Sequence, residues 1–457
     1  MVFKRWLLIS GMAYLAMFAT APARADAPVE AQVAAGSTAD GDCQSFGPTF
    51  FKTEFTPFCA KFGYDLRFAI DKDLANNDIA LQSQRLPSVA NPGGGVPMLL
   101  DFLKDFRERN FDPRPSIDAQ VNLTFVTDTT LGPLVGFINV RGAASFIANG
   151  SPVIENTVTV RGAAQNIIDQ AWIKVAGFTL GIYPSFFNFI QPGYSFTGGY
   201  SSTTRTPMIG YSQRIGDNVA VSVSLEDPTR RQTDDGLMSR YAVARLPDVV
   251  GQVRVGNDKA LVQVAGAFHQ VRDASLSDCC GVAVQTANGW AISGGAEYKT
   301  KWSDVFGEAA GDMYGRFMAS AAYTRGAVSY LGAPTFAIDY VAEQNGQLHL
   351  TNGWSALGSY EHLWTPFLKS TATLSYYEMG MHSNPSDVGG GVLVNFDYKV
   401  RGLGLQFGTE YMFQPNWMIG VELAQFNDRA SGSYSGVPGM PASVRNNNVL
   451  AYVRTVY

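Results

Sequence analysis

Residues 61–70 read KFGYDLRFAI. Every second position is apolar (Phe62, Tyr64, Leu66, Phe68, Ile70), and the positions between are Lys61, Gly63, Asp65, Arg67 and Ala69. A period of two marks a strand, because successive Cβ atoms point to opposite faces of a sheet. A half-buried soluble strand has the same order, so the rest of the chain decides whether the apolar face meets a protein core or lipid.

The pattern recurs along the chain. Ile117, Ala119, Val121, Leu123 and Phe125 oppose Asp118, Gln120, Asn122 and Thr124; Val219, Val221, Val223 and Leu225 oppose Ala220, Ser222, Ser224 and Glu226. Ala260, Val262, Val264 and Phe268 stand against Gln263 and His269, and Leu403, Leu405, Phe407 and Tyr411 against Gln406, Gly408 and Glu410. About sixteen such segments begin near residues 61, 116, 132, 166, 178, 206, 218, 248, 259, 288, 314, 353, 367, 390, 416 and 447. Their connections alternate in length. Tight ones include DTTLG (Asp128 to Gly132), Ala176-Gly177, Gly216-Asp217, Thr365-Pro366 and Gln414-Pro415-Asn416, and between them fall long stretches such as 71–115, 184–205 and 325–352. Residues 300–313 break the rule, being long where a short turn is due.

Composition narrows the choice. Of 457 residues, 46% are hydrophobic and 16% charged, against about 25% charged in soluble domains. Mean hydropathy is only -0.01. Beyond the N-terminus no run is long and apolar enough for a membrane helix. One amphipathic segment, VPMLLDFLKDFRER (96–109), sits inside a long loop and is too little to cover a sheet. Lipid is therefore the expected partner of the apolar face, in an antiparallel up-and-down transmembrane β-barrel of about sixteen strands, all-β in class. Aromatics at predicted strand ends, Trp364 and Phe367 at one turn and Tyr411, Phe413 and Trp417 at another, suit interfacial girdles. The chain also stops inside a strand, with Val449, Ala451, Val453, Thr455 and Tyr457 on one face.

Lys4 and Arg5 precede an apolar stretch ending in Ala23-Arg24-Ala25, the layout of a secretory signal cut before Asp26. The expected division is a signal peptide over 1–25, a flexible leader with the cysteine segment over 26–60, and the barrel over 61–457. Loss of Lys4, Arg5 and Arg24 takes the formal charge from -5 to -8 (31 cations against 39 acids), which gives no case for nucleic acid. For Cys43 and Cys59 in an exported chain a disulfide is the first reading and free thiols the alternative; Cys279 and Cys280 are adjacent, and their state stays open. No histidine lies near either pair to suggest zinc, and no cofactor is expected.

Two stretches carry a family likeness: CQSFGPTFFKTEFTPFCAKFGYDLRF (43–68) and QAWIKVAGFTLGIYPSFFNF (170–189). The sequence resembles the alphaproteobacterial, rhizobial-type outer-membrane porins. The resemblance implies a trimeric, water-filled channel in the outer membrane, a Cys43–Cys59 disulfide and a third loop folded inward. Partners implied are outer-membrane lipid and lipopolysaccharide, two further copies of the chain, and the assembly machinery that reads the terminal aromatic strand. Two features depart from the family: Thr53 to Phe58 replace the usual Pro-Gly-Thr before the second cysteine, and Ile182 stands where relatives carry an arginine.

Selectivity in such a channel follows from the width and fixed charge of its narrowest ring. The third-loop segment 185–204 is uncharged, and its constriction candidates are Phe186, Phe187, Asn188, Gln191 and Tyr194. Charges of lumen parity are mixed: Lys61, Arg67, Lys174, Arg214, Arg254 and Arg454 against Asp65, Asp118, Glu226, Glu297, Glu410 and Glu422. The expected activity is passive diffusion of ions and small hydrophilic solutes. The rivals are a substrate-selective barrel, a soluble exported β protein, and a barrel lipid hydrolase. The last rests on HLTNG at His349, which resembles a phospholipase motif but has Thr351 for the serine.

Overall fold

The computed structural model describes residues 43–47, 49–52, 58–73, 114–146, 152–153, 168–189, 199–232, 241–274, 283–301, 314–332, 338–342, 347–382, 386–387, 393–394, 396–434, 437–438 and 442–456. The expected signal peptide, the leader 26–42, the amphipathic segment 96–109, residues 302–313, Cys279, Cys280, Gln191, Tyr194 and Tyr457 lie outside them. Sixteen strands form the wall. In chain order they are β1 (Cys59–Asp73), β2 (Arg114–Thr129), β3 (Gly132–Phe146), β4 (Ile168–Val175), β5 (Phe178–Pro184), β6 (Arg205–Ile215), β7 (Val219–Glu226) and β8 (Asp248–Gly256). The second half comprises β9 (Ala260–Asp273), β10 (Gln285–Lys301), β11 (Tyr314–Arg325), β12 (Asn352–Thr365), β13 (Leu368–His382), β14 (Phe396–Gln414), β15 (Trp417–Tyr434) and β16 (Ala442–Val456). Each pairs antiparallel with its neighbours in sequence. β16 returns to β1 through Asp65↔Val456 to Asp73↔Asn448, which closes the sheet.

Closure follows from the alternation. Along β7 the odd positions point outward, with Val221, Val223 and Leu225 38%, 48% and 46% exposed, while Ser222, Ser224 and Glu226 are 7%, 1% and 0%. The opening stretch behaves alike: Phe62, Tyr64 and Ile70 are exposed and Ala69 is buried. No other layer of the described chain covers this continuous apolar outer face, so its solvent is hydrocarbon. Neighbouring outward rings pack on one another, as at Phe178–Tyr211, 4.9 Å between centroids, and Trp354–Tyr376, 5.0 Å. Exposed Trp364, Phe367, Tyr411 and Phe413 gather at the short-turn end, where the girdle was expected.

The short turns hold register. At Ala176-Gly177 both residues have positive φ, 49° and 83°, the twist that a two-residue hairpin needs between right-twisted strands. The first strand starts at Cys59, two residues before the expected start. Cys43 and Cys59 form a disulfide, and the turn Cys43–Phe46 with Phe50 packs on Val126, Val135 and Trp172 inside the wall. Among the described residues, 43–47 and 49–52 are thereby held against the barrel.

If hydrocarbon covers the outer face, Leu405→Arg in the middle of β14 should lower stability by about 2–4 kcal/mol in urea titrations of the barrel folded in lipid vesicles. Leu405→Ala should cost clearly less. Equal costs for the two substitutions would place Leu405 away from lipid.

Candidate functional site

The polar face of the strands becomes the inner wall, and its charges are joined across strands. On β1 to β3, Asp118 accepts from both Arg67 (2.8 Å) and Arg141 (2.6 Å). Asp65 takes Arg454 of β16 at 2.6 Å, across the closing seam. On β10 and β11, Glu297 takes Arg316 (2.7 Å) and Lys299 (3.2 Å). Lys369 lies 3.7 Å from Glu361 and 3.9 Å from Glu410, and the Tyr452 hydroxyl donates to Glu410 at 2.5 Å. Lys174 reaches the Tyr183 hydroxyl at 3.1 Å, and Arg254 donates to Gln263 at 2.8 Å.

Lys61, Asp65, Arg67, Asp118, Lys174, Arg214, Arg254, Glu410, Glu422 and Arg454 thus all have the inner parity of their strands. The structure brings Arg67 to Asp118, and Asp65 to Arg454. Lys61 and Arg214 stand apart, near the short-turn end. Sequence reading missed Arg141. Its nearest inward neighbour on β3 is the polar Asn139, which donates to Gln120 at 3.2 Å, so the parity that marks it was present in Ile138-Asn139-Val140-Arg141.

The third-loop segment is tied to this wall largely through its backbone. Glu226 accepts from the Phe186 amide (3.2 Å) and the Ser185 hydroxyl (3.0 Å). Gln252 donates to the Phe186 carbonyl at 2.6 Å, and Gln263 to the carbonyls of Phe187 (3.4 Å) and Asn188 (3.1 Å). At the other end of the segment the Tyr200 hydroxyl donates to Asp428 of β15 at 2.8 Å and its ring meets Tyr377 of β13. Glycines make room for these rings. A Cβ on Gly295 would stand 2.6 Å from the Phe189 ring, and one on Gly402 2.9 Å from the Tyr200 hydroxyl.

A second cluster, beneath the long loops, went unread because its members lie far apart in sequence. Arg231 and Glu226 are fully buried and 3.3 Å apart, and the guanidinium lies 3.7 Å over the Tyr330 ring. His269 is held between Asp248 (2.7 Å) and Asp339 (3.6 Å). Asp339 also accepts from the Tyr241 hydroxyl and the Val328 amide, both at 2.6 Å. Burial pushes the Tyr330 phenol well above its ordinary value, which keeps it a donor to Asp248. His349 sits in the nearby hairpin Tyr340–Ala342/Leu348–Leu350, and Thr351 is fully buried with its amide on the Asp339 carbonyl.

A closed barrel with a charged inner wall, to which residues 185–188 are hydrogen-bonded, meets its family here. A model described as a porin subfamily matches residues 104–434. The chain belongs to this porin subfamily. The porin's fold is similar to that of the outer-membrane channel DcaP of Acinetobacter baumannii, with 16% identity and a TM-score of 0.58 over 89% of this chain and 99% of that one. It is also similar to OmpT of Vibrio cholerae (11%, TM-score 0.44, 89% and 99%) and to Salmonella typhi OmpF (11%, TM-score 0.42, 87% and 98%). No curated protein matches the chain. The porin is an outer-membrane channel for passive diffusion.

Removing Glu226 leaves Arg231 buried beside the more distant Asp248, so Glu226→Ala should cost about 3–5 kcal/mol in urea unfolding. Gly295→Val should leave the heat-resistant gel migration of the barrel intact while displacing Phe189. Single-channel recordings of that variant should show altered conductance and added flicker. Unchanged traces would mean that Phe189 has no bearing on the open channel.

Proposed function

We propose that this porin, of the rhizobial type, is a general diffusion pore for ions and small hydrophilic solutes, narrowed by its inward-folded third loop. The observation that supports this is the anchoring of segment 185–200: it leaves β5, bonds through its backbone to Glu226, Gln252 and Gln263, and ends on Asp428 of β15. A loop bonded to inward residues on well-separated strands narrows the bore. Being uncharged, it sets a size limit and holds no fixed ion of its own. Phe186 and Phe187, 7% and 2% exposed and packed on Met208, Val250, Ala265 and Tyr330, back the proposed constriction, with Asn188, Gln191 and Tyr194 as its proposed water-facing residues, and the inward-parity charges line the pore.

The mature protein is proposed to be a homotrimer whose signal peptide is cut before Asp26. Strands β4, β5 and β7 have 8, 7 and 8 residues, where β10 has 17 and β14 has 19. At about 3.3 Å per residue and about 45° tilt the short strands rise only some 16–19 Å, less than the roughly 25 Å apolar band of such barrels. A neighbouring copy set against this low wall would spare the mismatch. Arg325, Lys399, Arg401 and Arg429, all exposed on the outward parity at the long-loop end, suit the anionic headgroups of lipopolysaccharide.

Planar-bilayer recordings test the channel reading. Conductance should rise in proportion to salt, and no single sugar or acid should block it saturably. Saturable block by one solute would favour a substrate-selective channel. In detergent, the purified protein should have three times the mass of the mature chain, and Leu180→Arg on the low wall should reduce it to monomer.

A further inference from the structure

We infer that the pore passes small anions in preference to cations, because its wall presents cations to water and keeps its acids beneath them. This rests on the channel reading above. In two places one carboxylate serves two cations: Asp118 holds Arg67 and Arg141, and Glu297 holds Arg316 and Lys299. The exposures are unequal within each triplet. The Arg141 and Lys299 side chains are 41% and 46% exposed, the Asp118 and Glu297 side chains 9% and 4%. A solute ion in the bore therefore meets the outer cation, while the carboxylate oxygens are already occupied by guanidinium or ammonium groups.

Two places run the other way: at the seam Asp65 is 17% exposed against 10% for Arg454, and Lys369 lies between Glu361 and Glu410, but those last two acids are 6% and 2% exposed. Glu422 is likewise buried. Against them stand Lys61, Lys174, Arg214 and Arg254 on the same inward parity. Lys174 lies over the Trp172 and Tyr183 rings, and Arg254 donates to the Gln263 amide. The acids under the long loops, Glu226, Asp248 and Asp339, are sealed against Arg231 and His269 and do not face the bore. With a Debye length of about 8–10 Å, an ion responds chiefly to the charges at the water-facing surface. The uncharged third loop contributes no acid opposite them. The solutes favoured are small carboxylates, phosphates and halides.

The reversal potential of the purified porin under a potassium chloride gradient should have the sign of chloride preference, with a permeability ratio of about threefold or more. Arg141→Glu should bring that ratio to unity or invert it. The pair Lys174→Gln and Lys299→Gln, which leaves the Arg67–Asp118 contact untouched, should lower it by about half. Leu374→Ala, on the outer face, should leave it unchanged. Failure to conduct at all in a preparation with normal heat-resistant migration would sink the channel reading. Normal conductance with a ratio at or below unity, or a ratio that Arg141→Glu and the double variant leave in place, would overturn the anion preference and leave the channel standing.

Discussion

A strand that crosses hydrocarbon has nowhere to place its amides and carbonyls except on another strand. Every other feature of this porin depends on that constraint. It forces the sheet to close, so β16 must find β1 across the whole length of the chain, and Arg454 with Asp65 ties that seam from within. It also reverses the usual sense of inside and outside. The valines and leucines of β7 face lipid, and the enclosed space is left to serine, glutamate and arginine. A water-filled passage is the by-product of satisfying the backbone.

That reversal explains how the charges are arranged. An inner wall in contact with water can keep its ions solvated, yet many of its carboxylates are buried behind cations from neighbouring strands. Arg67 and Arg141 reach Asp118 from the strands on either side of β2, and Glu297 takes Arg316 from the neighbouring β11 and Lys299 from its own strand. Such pairs cross-link adjacent strands on the inner face much as the aromatic pairs do on the outer one. The wall is braced on both faces by different chemistry.

Strand number, face and turn alternation were legible in the sequence because a period of two persists wherever one face meets lipid, as in 61–70 and 219–226. Strand starts agreed within a few residues at most positions. The exceptions, near 390 and 447, fall next to long loops, where β14 begins at Phe396 and β16 at Ala442. The inward parity of Lys174, Arg254 and Glu410 could be read for the same reason. Arg141 was passed over although Ile138 and Val140 face outward and Asn139 inward beside it, because the aromatic and apolar inward residues Val135 and Phe137 earlier in β3 broke the polar run. The Arg231–Tyr330–Asp248 and His269–Asp339 contacts could not be read, since they join four separate loops or strand ends and leave no periodic trace. The glycines that admit Phe189 and Tyr200 look like ordinary weak points of a strand until the rings are seen against them.

The third-loop segment is gripped by its peptide groups, at the amide of Phe186 and the carbonyls of residues 186–188, with Ser185 the chief side chain at the near end. A peptide group is the same whatever residue carries it. The hydrogen bonds at this end of the segment can therefore outlast changes of side chain at residues 186–188, so attachment and side-chain identity are free to evolve as separate traits.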